Sequence, residues 1–209
     1  AAAGATLVFG GGSAGAFGAI YALDRVARAF AHANVTVRGA PIGGFPPPVV
    51  WYTGREHHVP KEDARPAHLA QLVAMWNAAP ALPERCVHDK GARDAYLCVL
   101  PTEAAPYVRT PMMVVQALTD WVVTVAFEGV PGSVERISAI AEATAFMTAY
   151  ARNSSRALRT AVPPQSGYFA PSCIMHTEFA DVPRISGTNA IDAVYSMVSA
   201  GVQQQQQQQ

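Results

Sequence analysis

Charge is what this chain has least of. Only 14% of its 209 residues are charged, and 15 Lys and Arg balance 15 Asp and Glu. A net charge of zero supplies no basic face, so neither nucleic acid nor an anionic membrane surface is expected as a partner. Long apolar runs are missing too. None approaches the roughly 18–20 residues that span a bilayer, so no transmembrane segment is expected. There is no initiator Met and no signal peptide, and the chain opens directly in an apolar strand pattern. It therefore reads as a fragment or a mature segment. Cysteine is scarce, at three residues. Cys86 and Cys98 flank a polar stretch containing Asp and Arg. A disulfide formed in an oxidising compartment and a pair of free thiols are both open readings. The sequons at Asn34 and Asn153 are compatible with secretion.

Apolar residues, by contrast, make up half the chain. That composition is globular, and the length suffices for a proper core. We expect one domain over residues 1–202, followed by a solvated low-complexity tail, Gln203 to Gln209. Residues 5–9 read as a buried strand and 14–32 as a helix with Phe17, Ile20, Tyr21, Leu23 and Ala27 on its apolar face. Val35 to Val37 reads as a second strand. Strand, helix, strand in that order implies a parallel α/β sheet. Gly39 to Pro48 is too rich in Gly and Pro for regular structure, and Arg55 to Arg65 reads as a solvated charged loop. A helix carrying Leu69, Leu72, Val73 and Trp76 is expected over 66–78, and an irregular region over 83–106. Met112 to Val115 is the next strand. One long helix or two fill 133–160, with Ser133 as N-cap and Pro163-Pro164 as the stop. Gly167 to His176 is strand or loop, and a last short helix covers 189–199.

The chemistry starts at Gly11-Gly12-Ser13-Ala14-Gly15, directly behind the first strand. Gly-x-Ser-x-Gly at a strand-to-helix junction is the layout of a nucleophile elbow, which exposes a serine hydroxyl on a sharp turn. Glycines on both sides are expected because a Cβ at either would clash. A serine hydroxyl needs a base to take its proton and a third group to orient that base. In this layout the acid follows the serine and the histidine follows the acid, each beyond the end of a strand. Asp120 lies just past the Met112–Val115 strand. Of the six histidines only His176 follows it. Gly10-Gly11-Gly12-Ser13-Ala14-Gly15 also satisfies the dinucleotide fingerprint Gly-x-Gly-x-x-Gly. That reading lacks an acidic residue at the end of the second strand, where Arg38 stands, and leaves Asp120 and His176 unexplained.

Several segments together resemble the pectin acetylesterase/Notum family. Gly12-Ser13-Ala14-Gly15 is similar to its elbow, and Leu23-Asp24-Arg25-Val26-Ala27 to the helix behind it. Val37-Arg38-Gly39 resembles the next strand end. Trp76-Asn77 with Leu82-Pro83-Glu84-Arg85-Cys86 resembles its Trp-Asn and Pro-Glu-Arg-Cys segment. Thr110 to Gln116, running on to Asp120, resembles the strand bearing its acid, and Phe169-Ala170-Pro171-Ser172-Cys173 with His176 the segment bearing its histidine. The Notum branch looks closer than the plant pectin branch. The resemblance implies an α/β-hydrolase-like, mostly parallel sheet flanked by helices, with its early strands absent from this chain. It implies a carboxylic ester hydrolase with Ser13, Asp120 and His176 as nucleophile, acid and base. It also implies a Cys86–Cys98 disulfide, no metal or organic cofactor, and secretion or a lumenal location. The backbone N–H of Ala14, next after the nucleophile, is expected to donate to an oxyanion. The expected substrate is an acylated glycan or an acylated protein, and the expected state is a monomer. Two departures stand out. The family's acidic segment after the second strand is replaced around Pro41-Ile42-Gly43-Gly44-Phe45, and its Gly-Gly-Trp segment, a further source of oxyanion donors, is not in this sequence. A non-catalytic binding protein on the same fold is the alternative these departures suggest.

Overall fold

The computed structural model describes residues 4–59, 66–179 and 183–206. Strand β1 (Ala5–Gly12) leads into helix α1 (Ala14–Ala29) and strand β2 (Val35–Ile42). The two strands run parallel in register, from Ala5 opposite Val35 to Gly12 opposite Ile42. Strands β3 (Met113–Val115) and, much later, β5 (Gly167–Phe169) extend the same sheet, giving the all-parallel order β1-β2-β3-β5. Parallel neighbours need crossover connections, and helices supply them. A second parallel pair lies beyond the first sheet: β4 (Thr119–Asp120) with β6 (Ile174–Met175).

Consecutive strand residues face opposite ways, and the core divides accordingly. Val114 packs with Ile20 and Leu23 of α1 and with Leu158 of the long helix that precedes β5. Its neighbour Val115 packs with Phe169, Phe179, Ala190 and Ala193 on the other face. Helices thus cover both faces of the sheet, as a buried parallel sheet requires.

Several elements differ from the sequence expectations. Gly39 to Ile42 is not irregular but continues β2. Gly39 and Gly43 donate to the carbonyls of Pro111 and Val115, and Pro41, midway between them, has no N–H to give. The β2–β3 ladder is interrupted there rather than the strand. Arg38 consequently sits mid-strand opposite Val8, not at the strand end where a ribose would lie. Helix α1 stops three residues early, at Ala29. The expected 66–78 helix is α2 (Pro66–Met75); Leu69 and Val73 are buried, but Leu72 and Trp76 lie on the surface.

The region expected to be irregular, 83–106, is mostly helical: α3 (Glu84–Asp94), a 3₁₀ stretch and α4 (Pro101–Ala104). Its prolines sit at helix starts, where a missing N–H costs nothing, and Gly91 at φ 69° makes a kink. The disulfide Cys86–Cys98 ties α3 to the 3₁₀ stretch. Beyond β4 come α5 (Trp121–Ala126), α6 (Val134–Ala139) and α7 (Ala141–Ala161). The 133–160 pattern is therefore two helices, and Ser133 caps the first through Arg136 N–H. The last helix, α8, runs Ala190–Gln206, beyond the expected end at residue 199, and its backbone takes in the first glutamines, good helix formers. Within the charged stretch expected over 55–65, residues 60–65 lie outside the described residues. Arg55 and Glu56 are on the surface, paired with Glu142 and Arg136. No described helix is long and apolar enough to cross a membrane.

Candidate active site

The site assembles where strands end at their carboxyl edges. β1 ends at Gly12, and Ser13 follows at φ 55°, ψ −124°, a backbone conformation that L residues rarely adopt. The strain is held by its surroundings: Ser13 N–H donates to the Ile42 carbonyl at 2.8 Å, and Ala16 N–H closes the turn onto the Ser13 carbonyl. Gly11 makes this turn possible. A Cβ there would lie 2.5 Å from the Gly15 carbonyl oxygen. The expectation for Gly15 itself is corrected, because a Cβ at that position meets only open space.

Ser13 occupies the N-cap of α1, yet its hydroxyl caps no backbone N–H. It lies instead 2.8 Å from His176 Nε2. The other imidazole nitrogen, Nδ1, lies 2.8 Å from Asp120 Oδ2 and 3.0 Å from Oδ1. Register explains the meeting of residues 56 positions apart in sequence. Asp120 pairs with Met175 in the β4–β6 ladder, so His176 emerges beside the carboxylate. Asp120 is fully buried and caps α5, with Oδ1 accepting from Val122 and Val123 N–H at 3.1 and 3.2 Å. The hydrogen bond to Asp120 raises the His176 pKa above its ordinary 6.5; burial opposes this, and the charges of Asp120 and Glu178 add to the rise. Glu178 also accepts from the backbone N–H groups of His176 and Thr177, which hold its carboxyl below the ordinary value.

Chemically, an imidazole bonded to a serine hydroxyl on one side and a buried carboxylate on the other can accept the hydroxyl proton and stay correctly oriented. Ala14 is the first residue of α1, and helix-start N–H groups have no intrahelical partner. Cys173, by contrast, is an exposed free thiol.

Comparison with known proteins places the chain in a family. The model of the pectinacetylesterase family matches residues 2–208. The chain belongs to that family. Among curated relatives, the palmitoleoyl-protein carboxylesterase NOTUM of Drosophila melanogaster is 28% identical over 176 residues, covering 83% of this chain and 23% of that protein. Two crystal forms of the Wnt deacylase Notum from Drosophila superpose with a TM-score of 0.73 each, at 23% and 24% identity. They cover 94% of this chain, and 54% and 53% of theirs. The fold of this pectinacetylesterase-family chain is accordingly that of an α/β hydrolase, with a mostly parallel sheet between helices. The chain spans about half the length of those structures and about a quarter of the curated relative.

Two residues around the site carried no expectation from sequence. Gln116 (1% exposed) donates to Asp120 Oδ2 at 3.0 Å. Gly43, at φ 63°, passes so close to the histidine loop that a Cβ would lie 2.8 Å from the His176 carbonyl oxygen. The available signal for Gln116 was an amide four residues before the acid, at the end of an otherwise apolar strand.

Proposed function

We propose that this chain carries a serine carboxylic ester hydrolase site that works through an acyl-enzyme. The observation that carries the reading is the unbroken chain of contacts from Ser13 Oγ through His176 to Asp120, each at 2.8 Å. His176 Nε2 takes the Ser13 proton as Oγ attacks the ester carbonyl carbon. The oxyanion that forms is met by the Ala14 N–H. On collapse, the C–O bond to the alcohol breaks and His176 returns the proton to the departing oxygen. Water then attacks the acyl-serine by the same route and releases the carboxylic acid. Asp120 fixes the imidazole tautomer and stabilises the imidazolium throughout.

The substrate class is an O-acyl ester on a glycan or a protein. The family's name points to the first and the NOTUM relative's to the second. A secreted or lumenal location fits the Cys86–Cys98 disulfide, since such bonds persist in oxidising compartments.

A fluorophosphonate probe tests the reaction class. We expect covalent labelling of the chain, abolished in Ser13→Ala. No labelling, or equal labelling of the variant, would favour a binding protein on a hydrolase fold. Hydrolysis of p-nitrophenyl acetate against longer-chain esters then separates acetyl from lipid deacylation.

A further inference from the structure

We propose that Gln116 is a positioning residue for the Asp120–His176 pair and that it locks the carboxylate to the turn behind the serine. The proposal rests on the esterase reading above, but its argument uses contacts that the reading does not. Gln116 follows β3 directly and is almost wholly buried, out of reach of bulk water. Its Oε1 accepts from Phe45 N–H at 2.7 Å. Its Nε2 donates to the Ala117 carbonyl at 3.1 Å and to Asp120 Oδ2 at 3.0 Å. The backbone partners decide which end of the amide is which. A backbone N–H requires the amide oxygen, and a backbone carbonyl requires the amide nitrogen. A donor therefore faces Asp120.

The consequence is a carboxylate held from three directions. The start of α5 holds Oδ1, while Gln116 and the imidazole share Oδ2. A turn of the carboxylate away from His176 would strand a buried donor, which costs more than a hydrogen bond is worth. The other arm of Gln116 reaches the segment that supports the elbow. Phe45 is fully buried in the core, Gly43 backs onto the His176 carbonyl, and Ile42 accepts from Ser13 N–H. One side chain thus spans the acid and the platform of the nucleophile. Among the described residues, Glu128 and Tyr150 feel the charge of Asp120, and Glu178 acts on His176.

Two variants test the proposal. Gln116→Glu keeps the shape and the acceptor for Phe45 but replaces the donor with oxygen; Gln116→Met removes both functions. The measurements are the His176 titration and the low-field Nδ1–H resonance by NMR, with kcat and KM on a p-nitrophenyl ester. In Gln116→Glu the introduced carboxyl should move the His176 midpoint upward as it ionises. In both variants the Nδ1–H resonance should shift and kcat should fall about 10- to 100-fold with KM unchanged. Folded variants whose His176 titration and Nδ1–H resonance match the wild type overturn the proposal, as does a loss confined to KM. If the wild type hydrolyses no ester and takes no probe, the esterase reading fails on its own. A shifted His176 titration in the variants still supports the role of Gln116, and an unshifted one removes it.

Discussion

Ser13 shows how a single residue can be specified by what it does not do. Serine at a helix N-cap ordinarily turns its oxygen onto the N–H groups of the first turn. Here the oxygen is spent on His176, and the helix start is left uncapped by its own side chain. The strained backbone depends on Gly11 rather than on both glycines of the motif. Gly11→Ala should therefore cost activity by at least tenfold and lower Tm, because a Cβ 2.5 Å from a backbone oxygen cannot be accommodated without moving the turn. Gly15→Ala should fold normally. Labelling rates and thermal melts on the two variants check the contrast. His176 adds a prediction in pH. It must be neutral to act as base, and its pKa lies above 6.5, chiefly through the bond to Asp120. The acid limb of the labelling rate should have its midpoint above that value. Asp120→Asn should bring the midpoint down while slowing the reaction by about 10⁴, the cost of presenting the wrong tautomer. A midpoint that stays put on substitution would mean that Asp120 does not face the imidazole in solution.

At the scale of elements, the sequence was legible where chemistry and periodicity coincide. The β1–α1–β2 unit, the apolar β3 strand and the Ser133 cap follow from residue patterns, and so does the order Ser13, Asp120, His176. Three things were hidden. β2 looked five residues too short, because Gly39 and Pro41 read locally as breakers while their partners Phe9 and Gly11 lie some thirty residues upstream. α3 was hidden because Glu84-Arg85-Cys86-Val87-His88-Asp89-Lys90 carries few apolar residues, and only Cys86 is buried, with Val87 packed at the edge of the same cluster. The meeting of Asp120 with His176 was hidden in mechanism though not in order, since a two-residue ladder leaves no pattern. The scarcity of apolar residues in α3 yields the prediction for this scale. An element that buries so little must lean on its covalent tie. Cys86 and Cys98 are 12 residues apart, and closing a loop of that size is worth about 3 kcal/mol on a chain-entropy basis. The double variant Cys86→Ala/Cys98→Ala should lose stability of that order in denaturant titrations. Hydrogen exchange should rise first over 84–104, while the β1–β2 amides stay protected.

For the molecule as a whole, the buried titratable groups set how stability depends on pH. Glu128 is the dominant one. It is 1% exposed, Oε1 accepts from Val50 N–H, and burial, aided by the charge of Asp120, pushes its pKa up to about 8 from an ordinary 4.5. A carboxyl that holds its proton more tightly when folded stabilises the native state fully below pH 4.5. That contribution drains away as pH rises toward about 8. At about 1.4 kcal/mol for each pH unit, the loss amounts to a few kcal/mol. His176 acts in the same direction: its raised pKa stabilises the fold below 6.5, and the gain is lost as pH rises through the folded value. Glu178 opposes them weakly on the acid side, because its lowered pKa gives stability that is lost as pH falls below 4.5. Stability should therefore fall from pH 5 to pH 8, a mildly alkaline weakness that no surface charge balance would reveal. Glu128→Gln keeps an acceptor for Val50 and cannot ionise. Its denaturant midpoint should vary much less with pH and exceed that of the wild type at pH 8. A wild type equally stable at pH 5 and pH 8, or a variant that follows its pH dependence, would show that the Glu128 carboxyl finds a partner or solvent that the packing around Val50 and Tyr52 does not provide.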